Sequence, residues 1–317
     1  MQSFPVTLVA GAPGVGKTTW IYQQASLAQS AAYLNLGAEN FPIDATYLST
    51  ECPQLTAIAV DELSEFLQRS DQSIPLFIEL GFHIDPASLE LPIAPETCRK
   101  ILLVQSPQFS QSTDVESRSE SQSQLLTSST KSSELLHQDQ QNDEWTGWTC
   151  ISPVASPEDF LDNLPTKAYE SSRLSIDLTP ETTLQIRRSY LQGKVLDGNS
   201  LETFWHELTH GAYGELQRAK GIFELVDGRA LLLNYRAGYA AVEPLELSLP
   251  RWLDGPPDRF SGLEVVGTQL DQPRIVQTLT DCCLEDAAIA YYQAQIRASQ
   301  AASPEVSQSV SQGATVS

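Results

Sequence analysis

Residues 11–18, "GAPGVGKT", constrain this chain more than any other stretch. They fit G-x-x-x-x-G-K-[ST] without exception, between a short apolar run, "VTLVA", and a helix-like run, "KTTWIYQQASLAQ". The expected unit is strand, loop, helix. Gly11, Gly14 and Gly16 let successive backbone N–H groups turn inward around phosphate oxygens. Ala12, Pro13 and Val15 fill the loop, and Thr19 follows it into the helix. In such a loop the lysine, Lys17, reaches the outer phosphates, the Thr18 hydroxyl ligates Mg²⁺, and the helix N-terminus adds partial positive charge. The ligand implied is a nucleoside triphosphate, GTP or ATP, with Mg²⁺.

The remainder of the first half agrees with that beginning. "AAYLNL", "LTAIAV", "IPLFIEL" and "RKILLVQ" are compact, mostly unalternating apolar runs, separated by turn residues or by the helix-like "DELSEFLQRS". Interleaved in this way, they predict an α/β fold: a doubly wound, mostly parallel sheet covered on both faces. The first part of this P-loop domain spans residues 1–105. Residues 106–144 are dominated by serine, glutamine and acidic side chains with little to bury, and are expected to be a disordered insertion. Residues 145–183 finish the domain and lead out of it, with "WTGWTCISPV" as a strand and "SPEDFLDNLP" as a short capped helix.

A second region, residues 184–298, predicts a small α+β domain: a helix holding "LETFWHELTHGAY", a hairpin around "VDGR" with a third segment after it, a strand in "FSGLEVVGTQL" and one closing helix. Residues 299–317 are expected to be a disordered tail.

In chain order, "VTLVAGAPGVGKTTW", "YLNLGAENFPIDATYL", "LFIELGFHIDP", "YGELQRAKGIFELVDG" and "EVVGTQLDQPRIVQTLTDCCL" resemble the landmarks of the CobW-type proteins, metallochaperone P-loop GTPases grouped with the HypB-like and UreG-like proteins. The resemblance spans both expected domains and skips the insertion. It implies a GTPase that couples nucleotide state to a divalent metal, Zn²⁺ among the candidates, and to a client metalloprotein. Asn35, Glu39 and Asp44 fall in the segment that senses nucleotide and metal; Glu79, in "IELGFHIDP", falls near Mg²⁺ and the attacking water, with Asp85 and Pro86 closing that motif. Glu79 and Glu39 are thus the candidate catalytic residues. An acidic group at the carboxyl end of an apolar strand is also where a metal-orienting group belongs in such a domain.

Two departures limit what the resemblance implies. The family's C-x-C-C is represented by Cys52 alone, and one thiolate makes no soft-metal site. The guanine-reading N-K-x-D is replaced by "ASPEDFLDN", so base choice between GTP and ATP is open; hydrolysis is expected to be weak or lost because the insertion follows "KILLVQ", where the family's sheet leads to an aspartate and a switch-like loop. A nucleotide-binding scaffold without turnover is the alternative.

"HELTH" offers a third reading. His206 and His210, one helical turn apart with Glu207 between them, are spaced as in zinc peptidases. On a helical wheel they fall opposite Leu201, Phe204, Trp205, Leu208 and Ala212, which favours a solvent-facing pair; a peptidase or an adventitious metal site stays open. In "LQRAKGIF", Gly221 is expected to end a helix, with Arg218 and Lys220 approaching the nucleotide domain as the other reading. Adjacent Cys282 and Cys283 read as packing residues.

The net charge of −21 argues against nucleic acid as a partner. No run approaches a membrane span, and five cysteines without a C-x-x-C pair suit a reducing, cytoplasmic compartment.

Overall fold

A computed structural model of the chain describes residues 6–38, 40–69, 74–93, 98–104, 148–151 and 184–302. The expected insertion at 106–144, the capped helix at 156–165 and the tail beyond residue 302 lie outside the described residues.

The first half alternates strands and helices: β1 (Val6–Gly11), α1 (Lys17–Ser26), β2 (Ala31–Leu36), α2 (Ile43–Glu51), β3 (Leu55–Ala57), α3 (Leu63–Arg69), β4 (Leu76–Leu80), β5 (Cys98–Leu103) and β6 (Thr149–Ile151). The strands make one sheet in the order β3-β2-β4-β1-β5-β6, and every pair in it is parallel. Its unalternating sequence follows from burial on both faces. Val9, Tyr33, Phe77 and Ile101 pack on one face with Trp20, Ile21 and Leu48, while Leu8, Leu34, Ile78 and Leu102 pack on the other with Leu63. Each such side chain contributes roughly 1.5–3 kcal/mol by leaving water. This is the α/β fold of a P-loop NTPase, as the sequence predicts.

From β1 the chain crosses β4 to reach β2, whereas from β4 it crosses β1 to reach β5, so the connections that follow these two neighbouring strands run in opposite directions across the sheet. The crevice at the carboxyl end of such a strand is where an α/β sheet holds a ligand. The loop that continues β1 occupies that position.

The second half contains β7 (Gln185–Tyr190), α4 (Gly198–Thr209), β8 (Glu215–Glu224), β9 (Ala230–Arg236), β10 (Leu245–Glu246), β11 (Gly262–Thr268), α5 (Gln272–Asp281) and α6 (Asp286–Ala302). Its sheet runs β10-β9-β8-β11-β7, antiparallel throughout, with β8 and β9 forming the expected hairpin. Two expectations need correction. Gly221 does not end a helix; it lies inside β8, which begins at Glu215. The closing helix is two helices, because the chain breaks at Cys282 and Cys283 to bond with the segment before α4: Asp197 N–H donates to Cys282 C=O at 3.0 Å and Leu284 N–H to Val195 C=O at 2.8 Å. Cys282 itself is buried among apolar neighbours, and that burial pushes its thiol up to about 11.

The two sheets meet through a short segment after β2. Phe41 is buried edge-on between Tyr190 and Phe260, with ring centroids 4.8 and 5.2 Å away, and shares a cluster with Ile43, Ile222, Ala230, Leu232 and Leu247. Arg188 Nη2 donates to Gly37 C=O at 2.9 Å, and Ser248 N–H to Glu51 Oε1 at 2.7 Å. The antiparallel sheet is therefore seated against the edge of the site. Among the described residues no helix is long and apolar enough to cross a membrane.

Candidate functional site

The loop after β1 takes the backbone path its glycines permit. Gly11 has φ 146°, and a Cβ there would stand 2.6 Å from Leu103 C=O, so the turn admits only glycine. Gly14 has φ 72°, and a Cβ there would stand 2.9 Å from Cδ of Arg236 on β9. Lys17 is buried at the start of α1, where its Nζ donates to Gly11 C=O at 3.0 Å and Ala12 C=O at 3.3 Å. Burial, aided by the nearby Arg218 charge, lowers its pKa from the ordinary lysine value, against the pull of Glu79.

Thr18 is the point on which three elements converge. Its hydroxyl lies 2.9 Å from Asp44 Oδ1, in the first turn of α2, and 3.2 and 3.4 Å from the two carboxylate oxygens of Glu79, near the end of β4. A hydroxyl has one proton to give, so it can satisfy only one of these three acceptors at a time. Glu79 also accepts from the Tyr33 hydroxyl at 3.0 Å, which in turn accepts from Asn35 Nδ2 at 3.0 Å; Asn35 Oδ1 is buried with no hydrogen-bond partner. An excess of hard oxygen acceptors over protons is the donor chemistry that suits Mg²⁺.

The charges of this cluster are coupled across the sheets. Lys220 Nζ, from β8, donates to Asp44 Oδ1. Burial alone would push Asp44 up, but the charges of Lys220 and Arg218 outweigh it, and with hydrogen bonds from Lys220 and Thr18 they hold its carboxyl at about 2. Glu79 moves the other way: burial, then the charge of Asp44, raises it above the ordinary glutamate value. Beside the cluster is a cavity of about 210 Å³, lined by Gly14, Gly16, Thr18, Thr19 and, from β8 and β9, by Arg218, Lys220, Asn234 and Arg236. That is below the roughly 300–1,000 Å³ of pockets enclosing whole ligands, and its lining suits the charged end of one.

Of the expected site residues, Lys17, Thr18, Asn35, Asp44 and Glu79 are brought together, whereas Glu39 lies outside the described residues. Asp85 is exposed beyond β4, ahead of a single 3₁₀ turn at Pro86–Ser88. "ASPEDFLDN", where a base-reading motif was sought, is also outside them. Cys52 is buried, and burial raises its thiol pKa. His206 and His210 are exposed and stacked, ring centroids 3.9 Å apart, on the outer face of α4, and Glu207 accepts from Tyr213 at 2.6 Å. Among the described residues no group of three His, Cys, Asp or Glu side chains is placed to hold a metal ion. What sequence reasoning left to one side is the contribution of β8 and β9. Lys220 and Arg218 approach the loop after all, and Arg236 joins them; a hairpin centred near "VDGR" already implies that Arg218 and Arg236 face each other.

No protein-family model matches the chain, and no curated protein matches it. Two solved structures are similar over 89% of this chain and 99% of theirs: the Zn(II)-bound YjiA GTPase from E. coli and a Zn(II)-bound triple mutant of YjiA, each at 14% identity and a TM-score of 0.26. A likeness that distant says nothing of chemistry, which has to be read from the side chains.

Proposed function

We propose that this chain is a Mg²⁺-dependent P-loop protein that binds a nucleoside triphosphate, GTP or ATP, and hydrolyses it slowly. The observation that carries the reading is the Thr18 hydroxyl, at the end of a phosphate loop, in contact with carboxylates from two other elements, Asp44 and Glu79. Thr18, Asp44 and Glu79 would hold Mg²⁺, directly or through water, and the ion when bound supplies positive charge against the outer phosphates. The loop backbone from Gly11 to Gly16 cradles phosphate oxygens, and Lys17 exchanges its two loop carbonyls for them. Glu79, raised by burial and braced by Tyr33, is the group available to orient a water molecule.

Delivery of a metal to a client, the finer part of the CobW resemblance, has no support from a donor set among the described residues, where no group of three His, Cys, Asp or Glu side chains is placed to hold a metal ion. The proposal is therefore restricted to the nucleotide. Calorimetric titration of the full chain with Mg²⁺ and GTP or ATP tests it: binding is expected, and Lys17→Ala is expected to weaken it at least about a hundredfold, the scale of lost charge-assisted bonds to phosphate. Binding of neither nucleotide by the unaltered chain sinks the reading.

A further inference from the structure

β8 and β9 turn toward the phosphate loop a face unlike the rest of this acidic chain. Arg218 and Arg236 are direct partners in the antiparallel register, and Lys220 stands opposite Asn234. All four line the cavity beside Gly14, Gly16, Thr18 and Thr19. Each of these three cations also has contacts within the protein. Lys220 is engaged by Asp44. Arg218 reaches Glu264 only at 3.9 Å, and that carboxylate is already held by Arg188 at 2.8 Å. Arg236 stacks over the Tyr239 ring, 3.9 Å from its centroid, with its stem against Gly14 in the loop. A tyrosine beneath the guanidinium and a glycine beside its stem hold the head group at the rim of the phosphate cavity.

Resting on the nucleotide reading above, we propose that Arg218 and Arg236 bind the terminal phosphate of the triphosphate, so that the antiparallel sheet distinguishes triphosphate from diphosphate at the loop. The chemistry fits the residues: a guanidinium presents a planar fork of donors that matches phosphate oxygens two at a time. The phosphates kept in a diphosphate are the ones that the backbone of a phosphate loop cradles, while its lysine reaches the outer two. The additional one is the phosphate that a second sheet, on the far side of the cavity, is placed to meet. The contact exists with triphosphate and is lost with diphosphate, which makes the seating of β8 and β9 depend on nucleotide state.

The test is calorimetric titration of the full chain in Mg²⁺ with the β,γ-imido triphosphates of guanosine and adenosine and with the corresponding diphosphates. Arg218→Gln and Arg236→Gln are each expected to weaken triphosphate binding about tenfold to a hundredfold and to change diphosphate binding by less than about threefold. Arg218→Lys and Arg236→Lys keep the charge and the stem but not the fork, so the same bias toward triphosphate loss is expected at smaller size; they carry the test should the glutamine variants fold poorly. Equal losses for both ligands, or none for either, overturn the proposal while leaving the nucleotide reading intact. Failure of the unaltered chain to bind any of the four ligands overturns both.

Discussion

Two stretches of this chain match short patterns tied to metal or phosphate chemistry, and their surroundings are opposite. Around Lys17 and Thr18 the partners come from far along the chain: Asp44 on α2, Glu79 on β4 and Lys220 on β8, most of them buried. Around His206 and His210 the partners are local, the His210 ring nitrogen lying 2.7 Å from His206 C=O one turn back, with both rings in solvent. The two patterns are equally regular as strings. A string specifies only the geometry that one loop or one helix can supply; a site also needs groups from distant elements to converge and exclude water.

The comparison breaks most visibly at Lys220. Lys220→Met leaves Asp44 without the cation bonded to it, and breaking a buried pair in this way costs roughly 3–5 kcal/mol. Urea denaturation measures it, and a neutral result would mean that the sheets are not joined electrostatically at the loop. A finer probe is acid. The Asp44 carboxyl lies at about 2 in the folded chain against an ordinary 3.8. Because the folded value is the lower one, its contribution is complete above about pH 4 and is lost as pH falls toward 2, on the order of 2 kcal/mol. The stability difference between the unaltered chain and Lys220→Met is expected to shrink across that window, and a difference constant with pH would contradict the pairing. The smallest effect belongs to the other stretch: His206→Ala with His210→Ala is expected to move stability by less than about 0.5 kcal/mol and to leave zinc content by elemental analysis unchanged. Loss of stoichiometric zinc from that variant would reverse the comparison.

How much of this was legible beforehand depends on where the signal came from. β1, β2, β4 and β5 announce themselves because burial on both faces makes them continuous apolar runs, and the loop because its glycines have no substitute. α2 was not seen. Only Ile43 and Leu48 are buried along it, and Thr46 and Thr50 are poor helix formers, so no periodic stripe marks it. β7 was missed because it is an edge strand, "QIRRSY", whose side chains are half-buried or exposed. The first residues of β8 read as helix because Gly221 suits a helix C-terminus; "ELQRAK" is instead polar strand, with Arg218 and Lys220 lining the cavity beside the loop and not a core. The segments that escape sequence reading are those without a continuous apolar run: a short helix with two buried residues, an edge strand, and a strand whose polar face lines a cavity.

Lys220 and Asp44 are separated by 176 residues, and Arg236 lies further still along the chain. A polypeptide is made from its N-terminus, with early segments free to fold before later ones exist. The phosphate loop therefore leaves the ribosome long before the wall that faces it. A nascent chain that has finished β1 to β5 holds the loop, Thr18 and both carboxylates, yet has none of the cations of β8 and β9. The cavity is completed late in synthesis, when the hairpin pairs and is seated, so a truncated product retains the motif without the wall that faces it.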